Sequence, residues 1–276
     1  ESKCAKLRKK PRGVLWQIKD QASVGVIQTD YEKGIKKIAK PVGVIGAVIP
    51  CTNPEITPVI KAMRALKARN AVVFFPHPRT KQTTYAVVQL MRNVLSSLGA
   101  PEDLLICAEN PNHEMSNEIM KQCDLVIATG GAGMVKAAYS SGTPAYGVGA
   151  GNAVVIVDET ADIDTVCPLI IASKTNDLAS GCSSENSVIV HSEQYDKFIE
   201  TMKQHGAYLC NDDEKKRLQN ALWKDGVLSS AVVAQPASKI ASQADIAVDD
   251  ATRVILVEET GYGPGYPFSR EKISVV

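Results

Sequence analysis

Val42-Gly43-Val44-Ile45-Gly46-Ala47-Val48-Ile49-Pro50-Cys51-Thr52-Asn53-Pro54 decides the fold. An uncharged, β-branched run ends at a proline and gives way to a segment of helical period, Pro54–Ala68, which together read as a buried strand feeding a helix. The same alternation recurs along the chain. Strands are expected at Val42–Ile49, Ala71–Phe75, Asp103–Cys107, Leu125–Ala128, Val154–Val157 and Ser187–Val190. Helices are expected at Pro54–Ala68, Lys81–Ser97, His113–Lys121, Ala132–Ser140 and Ile163–Lys174. Short strands separated by helices are the pattern of βαβ units, so the fold class is α/β with a largely parallel sheet covered by helices.

Ser23–Gln28 and Gly34–Lys40, joined by turn-prone residues, read as an exposed hairpin at about 23–41, a form suited to pairing with another subunit. Past residue 190, helices are expected at Gln194–His205 and Asp213–Trp223, then a strand at Val254–Val257. The glycines of Gly147-Val148-Gly149-Ala150-Gly151 mark the expected boundary between a domain of residues 1–149 and one of 150–276. Ile273-Ser274-Val275-Val276 reads as the start of a strand with nothing after it, so the second domain is expected to be incomplete at its C-terminal end.

Composition narrows the function classes. With 276 residues, 45% of them apolar, the chain can bury one or two cores, and a net charge of +1 exerts no general pull on nucleic acid or an anionic membrane. The basic cluster Lys3, Lys6, Arg8, Lys9, Lys10 and Arg12 reads as a solvated, frayed terminus. No run approaches a membrane span or a signal-peptide core, so a cytoplasmic location is expected. Seven cysteines without paired spacing and four histidines without ligand spacing give no basis for disulfides or a metal site.

Four stretches carry chemistry. Cys182 stands in Ala179-Ser180-Gly181-Cys182-Ser183-Ser184-Glu185, a small polar loop where a thiol can meet a small electrophile; the competing reading is a buried, inert thiol. Asn53-Pro54 reads either as helix N-cap followed by the first helical residue, or as an amide that donates to an oxygen gaining negative charge. Thr129-Gly130-Gly131 closes a strand and opens a helix, which is either an ordinary βα turn or a pyrophosphate site. His77-Pro78-Arg79 follows a strand and puts a cation where adenosine phosphates can lie, or is a rigid surface turn.

In order along the chain, Pro41 to Gly46 through Asn53-Pro54, Ala128 to Gly131, Gly147 to Asn152, Gly181 to Glu185 and Pro267 to Ser274 resemble the aldehyde dehydrogenase superfamily. They are most similar to its CoA-acylating branch, which includes sulfoacetaldehyde dehydrogenase, succinate-semialdehyde dehydrogenase and the aldehyde half of bifunctional alcohol/aldehyde dehydrogenases. The resemblance implies a Rossmann-like dinucleotide-binding domain and an α/β catalytic domain. It implies that Cys182 is the nucleophile, with Asn53 and the Cys182 backbone N–H holding the substrate oxygen. Thr129, Gly130 and Gly131 fall at the cofactor pyrophosphate. His77, Pro78 and Arg79 fall at the adenosine end, without the lysine common in hydrolytic members, and Glu271 falls at the nicotinamide ribose. Where hydrolytic members start a segment with a water-activating glutamate, this chain has Gly147.

Thioester transfer to CoA is therefore expected over hydrolysis, with NAD or NADP as oxidant. The polar Ser183 and Ser184 favour a sulfoacetaldehyde-like substrate over acetaldehyde, with succinic semialdehyde also open. A homo-oligomer is expected, with no nucleic acid or membrane partner. A hydrolytic enzyme and a non-catalytic, oligomer-forming fragment stand as the alternatives.

Overall fold

The computed structural model describes residues 2–276, without the side chains of Ser2 and Lys3, so the Lys3 part of the basic cluster lies outside the described side chains. The chain divides into two compact units, Glu1–Ala150 and Gly151–Val276.

The first unit runs α1 (Ser2–Ile18), β1 (Gly25–Asp30), β2 (Ile35–Ala39), β3 (Val44–Val48), α2 (Ile56–Lys67), β4 (Ala71–Phe75), α3 (Lys81–Ser97), β5 (Leu105–Cys107), α4 (His113–Gln122), β6 (Leu125–Thr129), α5 (Ala132–Tyr139) and β7 (Ala145–Val148). Strands β3 to β7 form one sheet in the order β5-β4-β3-β6-β7, every pair parallel. Alternation sends Ile45, Ala47, Val72 and Phe74 to one face, against Ala62 and Ala65 of α2 and Val88 of α3. Val48, Phe75, Val126 and Ala128 join Met120 of α4 and Ala138 of α5 in a separate cluster. Both faces are thus covered, as a parallel sheet requires.

Gly43 shows why the sequence enters β3 as it does. Its φ of 121° lies in glycine's territory, and a Cβ there would sit 2.2 Å from Asp124 Oδ2, the atom that accepts the Val44 N–H at 2.8 Å. Asn70 Oδ1 accepts from Val42 N and Gly43 N, at 2.7 and 3.1 Å, closing the same corner.

Three expectations need correcting. The basic terminus is exposed but not frayed: it forms the helix α1, whose end is tied to α2 by Arg64 Nη2 to Gln17 Oε1 at 3.2 Å and Lys67 Nζ to Lys19 O at 3.2 Å. The division falls after Ala150, inside the expected 147–151 stretch, but Gly147 and Val148 themselves belong to β7, an edge strand paired with β6. Ile273–Val276 forms no strand; Val275 and Val276 are buried, and Val275 O accepts from Ile255 N at 2.9 Å. The hairpin is present as antiparallel β1 and β2 with a bulge at Ile27, and Val26, Ile27, Ile35 and Ile38 are each 44–56% exposed.

The second unit runs β8 (Ala153–Val157), α6 (Ile163–Thr175), β9 (Glu185–Val190), α7 (Tyr195–Gln204), β10 (Ala207–Leu209), α8 (Asp212–Leu222), β11 (Trp223–Lys224), β12 (Val227–Leu228), α9 (Ala237–Gln243) and β13 (Val254–Leu256). The strands β8 and β9 pair in parallel, as do β10 and β13, while β11 and β12 make a small antiparallel pair. One core unites them, built on Ile163, Cys167, Ile171, Phe198, Met202, Leu218, Leu222, Ile240 and Val254. Among the described residues no helix is long and apolar enough to cross a membrane.

Candidate active site

In the first unit the chain runs outward from β3 through β4 to β5 and then returns to place β6 on the other side of β3. That reversal makes a crevice beyond the carboxyl ends of β3 and β6, the place where open α/β sheets bind ligands. The loop with Asn53 follows β3, and the Gly130-Gly131 turn follows β6.

The helix-cap reading of Asn53 is overturned. Helix α2 starts at Ile56, two residues beyond Pro54, with no side-chain cap. The Asn53 side chain instead accepts from Lys6 Nζ through Oδ1, and its amide nitrogen donates to Thr52 Oγ1 at 3.4 Å, a long bond for an amide.

Gly131 caps α5, and Met134 N and Val135 N donate to its carbonyl oxygen at 3.0 and 3.2 Å. A Cβ on Gly131 would meet nothing within 4 Å, and one on Gly130 only Met134 at 3.5 Å. The first-turn N–H groups can therefore be approached closely, which fits a pyrophosphate. Beyond β4, His77 caps the short 3-10 turn Pro78–Thr80, its Nδ1 accepting from Arg79 N at 3.2 Å. Burial, and then the Arg79 charge, push the His77 pKa down, so the ring is neutral near pH 7 and can accept. Arg79 is exposed.

Lys61 is the residue of this crevice that the sequence reading missed. Its Nζ donates to Val48 O at 2.7 Å and Ile127 O at 2.8 Å, stapling the ends of β3 and β6 at the crevice floor. Burial lowers its pKa to about 7.

In the second unit, Cys182 is exposed at the apex of a turn that Ser184 N closes onto Gly181 O at 3.1 Å, with Ser180 and Ser184 buried beneath. The buried-thiol reading does not hold for this cysteine. Three consecutive residues before it, Asp177, Leu178 and Ala179, have φ of 53°, 51° and 57°, a left-handed run that costs about 1–2 kcal/mol per residue. Ser180 helps hold it, donating through Oγ to Asp177 Oδ2 at 2.7 Å. Glu271 arrives from 89 positions further on: a Cβ built on Gly151 would lie 3.6 Å from Cys182 O and 4.0 Å from Glu271 Oε1. Burial raises the Glu271 pKa, opposed by a hydrogen bond from the Gly151 N–H. Asn152 Nδ2 donates to Ser269 O at 2.8 Å, fastening the same neighbourhood.

Nothing in the motifs pointed to Lys174, Asn186 or Lys272, which brace this turn from below. Lys174 Nζ donates to Glu185 O, and Lys272 Nζ to Asn186 O. Burial lowers the Lys174 pKa to about 8 against the opposing charge of Glu185, and burial together with Lys174 lowers that of Lys272 to about 7. A signal for Lys174 did exist: it continues the stripe Ile163, Cys167, Ile170, Ile171 at helical spacing, so a lysine was being sent into the core.

The aldehyde dehydrogenase family matches residues 14–266. The chain belongs to the aldehyde dehydrogenase family. A sulfoacetaldehyde dehydrogenase of Acholeplasma sp is 46% identical over 279 residues, covering 99% of this chain and 57% of that protein. An acylating sulfoacetaldehyde dehydrogenase of Bilophila wadsworthia (strain 3_1_6) is 44% identical, covering 100% and 61%. Among solved structures, an acetylating aldehyde dehydrogenase from Geobacillus thermoglucosidasius superposes with a TM-score of 0.90 at 41% identity, covering 95% of this chain and 58% of that one. The chain thus spans about three-fifths of the length of these aldehyde dehydrogenases, and its α/β fold matches that of the solved structure.

Proposed function

We propose that this chain carries the cofactor and nucleophile regions of a CoA-acylating aldehyde dehydrogenase acting on a small aldehyde, with a sulfoacetaldehyde-like substrate preferred. The observation that carries the choice of thioester transfer over hydrolysis is the packing of Gly147. In the resemblance this position belongs to the water-activating glutamate, yet here a Cβ would lie 2.5 Å from Val135 Cγ1 and 2.9 Å from Tyr139 Cε2. A carboxylate side chain there would have to displace Val135 and Tyr139, and with glycine in its place an acyl-cysteine lacks that general base for water, whereas the CoA thiol, partly ionised near neutral pH, needs less help.

The Cys182 thiolate adds to the aldehyde carbon, and the oxygen, now an alkoxide, is held by the Cys182 backbone N–H and the Asn53 amide. A bound NAD or NADP would supply the hydride acceptor for that carbon. The acyl group then passes from Cys182 to the sulfur of CoA, which loses its proton, and the cysteine thiolate is released. The overall balance is aldehyde, CoA and NAD(P)+ giving acyl-CoA, NAD(P)H and one proton. Thr129, Gly130 and Gly131 receive the pyrophosphate, His77, Pro78 and Arg79 the adenosine end, and Glu271 the nicotinamide ribose. The exposed apolar hairpin β1–β2, marginal as an isolated two-stranded unit, is where a second copy pairs in a homo-oligomer.

The test is NAD(P)H formation by the full-length protein with acetaldehyde, succinic semialdehyde and sulfoacetaldehyde, each with and without CoA. Formation that requires CoA, is fastest with sulfoacetaldehyde and disappears in Cys182→Ala is the expected result. Equal rates without CoA would make the enzyme hydrolytic. No turnover, together with uniformly slow labelling of all its thiols, would make the chain a non-catalytic assembly element.

A further inference from the structure

Two buried ammonium groups grip consecutive carbonyls of β9 directly after the Cys182 turn. Lys272 is 2% exposed and Lys174 6%. Taking a cation out of water costs several kcal/mol, and an apolar side chain of similar volume often serves stability as well or better. Stability alone is therefore a poor reason for a lysine at position 272.

Its geometry offers another. All three Nζ protons have acceptors: Asn186 O at 2.7 Å, Phe268 O at 2.7 Å and Arg270 O at 3.0 Å. Its backbone N–H donates to Asn186 Oδ1 at 3.0 Å, and Asn186 Nδ2 donates onward to Ser184 O at 3.2 Å. Ser184 N in turn closes the Cys182 turn on Gly181 O. An unbroken line of hydrogen bonds thus joins the residue beside Glu271 to the turn that presents the thiol.

We infer that Lys272 and Asn186 are positioning residues that lock the Cys182 turn to the Glu271 segment. The thiol and the carboxylate that receives the cofactor ribose are then set as one piece. The inference rests on the cofactor and nucleophile roles proposed above. Displacing a reacting group by about 1 Å can cost about a hundredfold in rate, so a lock of this kind has kinetic consequences that packing alone lacks.

Asn186→Ala, Asn186→Asp and Lys272→Met in the full-length protein test it. Each is assayed for the KM for NAD(P)+, for CoA-dependent kcat, and for the rate of Cys182 alkylation by iodoacetamide with and without NAD(P)+. In the parent, NAD(P)+ is expected to change the alkylation rate. In folded Asn186→Ala, the KM is expected to rise and kcat to fall by about tenfold each, with the alkylation rate no longer responding to NAD(P)+. Asn186→Asp keeps an oxygen for the Lys272 N–H and is expected to recover part of the KM. If Lys272→Met does not fold, the Asn186 pair decides. A folded Asn186→Ala with KM, kcat and alkylation response within twofold of the parent overturns the inference, as does a parent whose alkylation ignores NAD(P)+. A parent with no CoA-dependent turnover sinks the acylating reading instead, and the alkylation response still reports on the lock.

Discussion

Gly147→Ala adds one methyl group at a tight steric limit in the first unit. The new Cβ would stand 2.5 Å from Val135 Cγ1 and 2.9 Å from Tyr139 Cε2, where carbon atoms ordinarily approach to about 3.5–4.0 Å. The Tyr139 ring is 59% exposed and can swing outward, but its hydroxyl then stops accepting from Gly147 N, a bond of 2.9 Å. Val135 cannot yield so easily, because it lies within α5 and its branched side chain is stiff at χ1. A retreat of about 1 Å by α5 is required, which as overpacking costs about 1–3 kcal/mol. For a chain of this size that lowers Tm by roughly 2–10 °C. Because α5 starts directly after Gly130-Gly131, the same retreat shifts the proposed pyrophosphate turn, and the KM for NAD(P)+ should rise with the loss of stability. Thermal unfolding by circular dichroism and steady-state kinetics read the two effects. In a Val135→Ala background the penalty should shrink, a favourable coupling expected of residues in contact. A Gly147→Ala protein with Tm within about 1 °C of the parent and unchanged KM would refute both the packing argument and the explanation of why no general base occupies this position.

Lys61→Met should destabilise the first unit by about 1–3 kcal/mol in urea denaturation, since Val48 O and Ile127 O lose their donor; a gain in stability would mean that the cost of the buried charge outweighs the staple. Stability should rise between pH 7 and 9. Lys61 and Lys272 at about 7 and Lys174 at about 8 lie below the unfolded value of 10.5, so over this window the unfolded chain binds more protons, worth at most about 1.4 kcal/mol per group per pH unit. Above about pH 9 the rise should level off, because Cys107 and Cys167 at about 11 and Cys210 at about 12 keep protons that the unfolded thiols release, offsetting the three lysines. Denaturation midpoints that fall from pH 7 to 9 would contradict these shifts. Ile38→Asp, on the exposed hairpin, should shift the protein toward smaller species in sedimentation velocity; an unchanged distribution would remove the hairpin from the interface.

Local sequence settled a good deal. The β-branched runs at 44–48, 71–75 and 125–129 and the helical periods between them specify parallel βαβ units, because a strand buried on both faces leaves no alternation for polar residues. Ala71–Phe75 and Lys81–Ser97 match the expected bounds, since a turn residue or proline marks their ends. Cys182 was legible as an exposed thiol because its neighbours are too small and polar to pack over it. The short edge strand β7 was not legible, since its glycines carry the same local signal as a turn and only pairing with β6 makes them a strand. Helix α1 was hidden by its charge and by Pro11, and is held by hydrogen bonds to residues about 47 positions away.

The difference between the two sources of information is range. Periodicity, turn chemistry and motif order act over a few residues, and they sufficed for the fold class, the exposure of the Cys182 thiol and the glycine turn at the end of β6. Tertiary structure alone showed what Asn53, Gly147, Lys61 and Lys272 touch, because each meets an atom outside its own local segment: Lys6 Nζ for Asn53, a tyrosine ring and a valine methyl from the neighbouring helix for Gly147, and strand-end or loop carbonyls for the two lysines. A buried polar group is explained by its partner, and the partner is brought to it only when the chain closes.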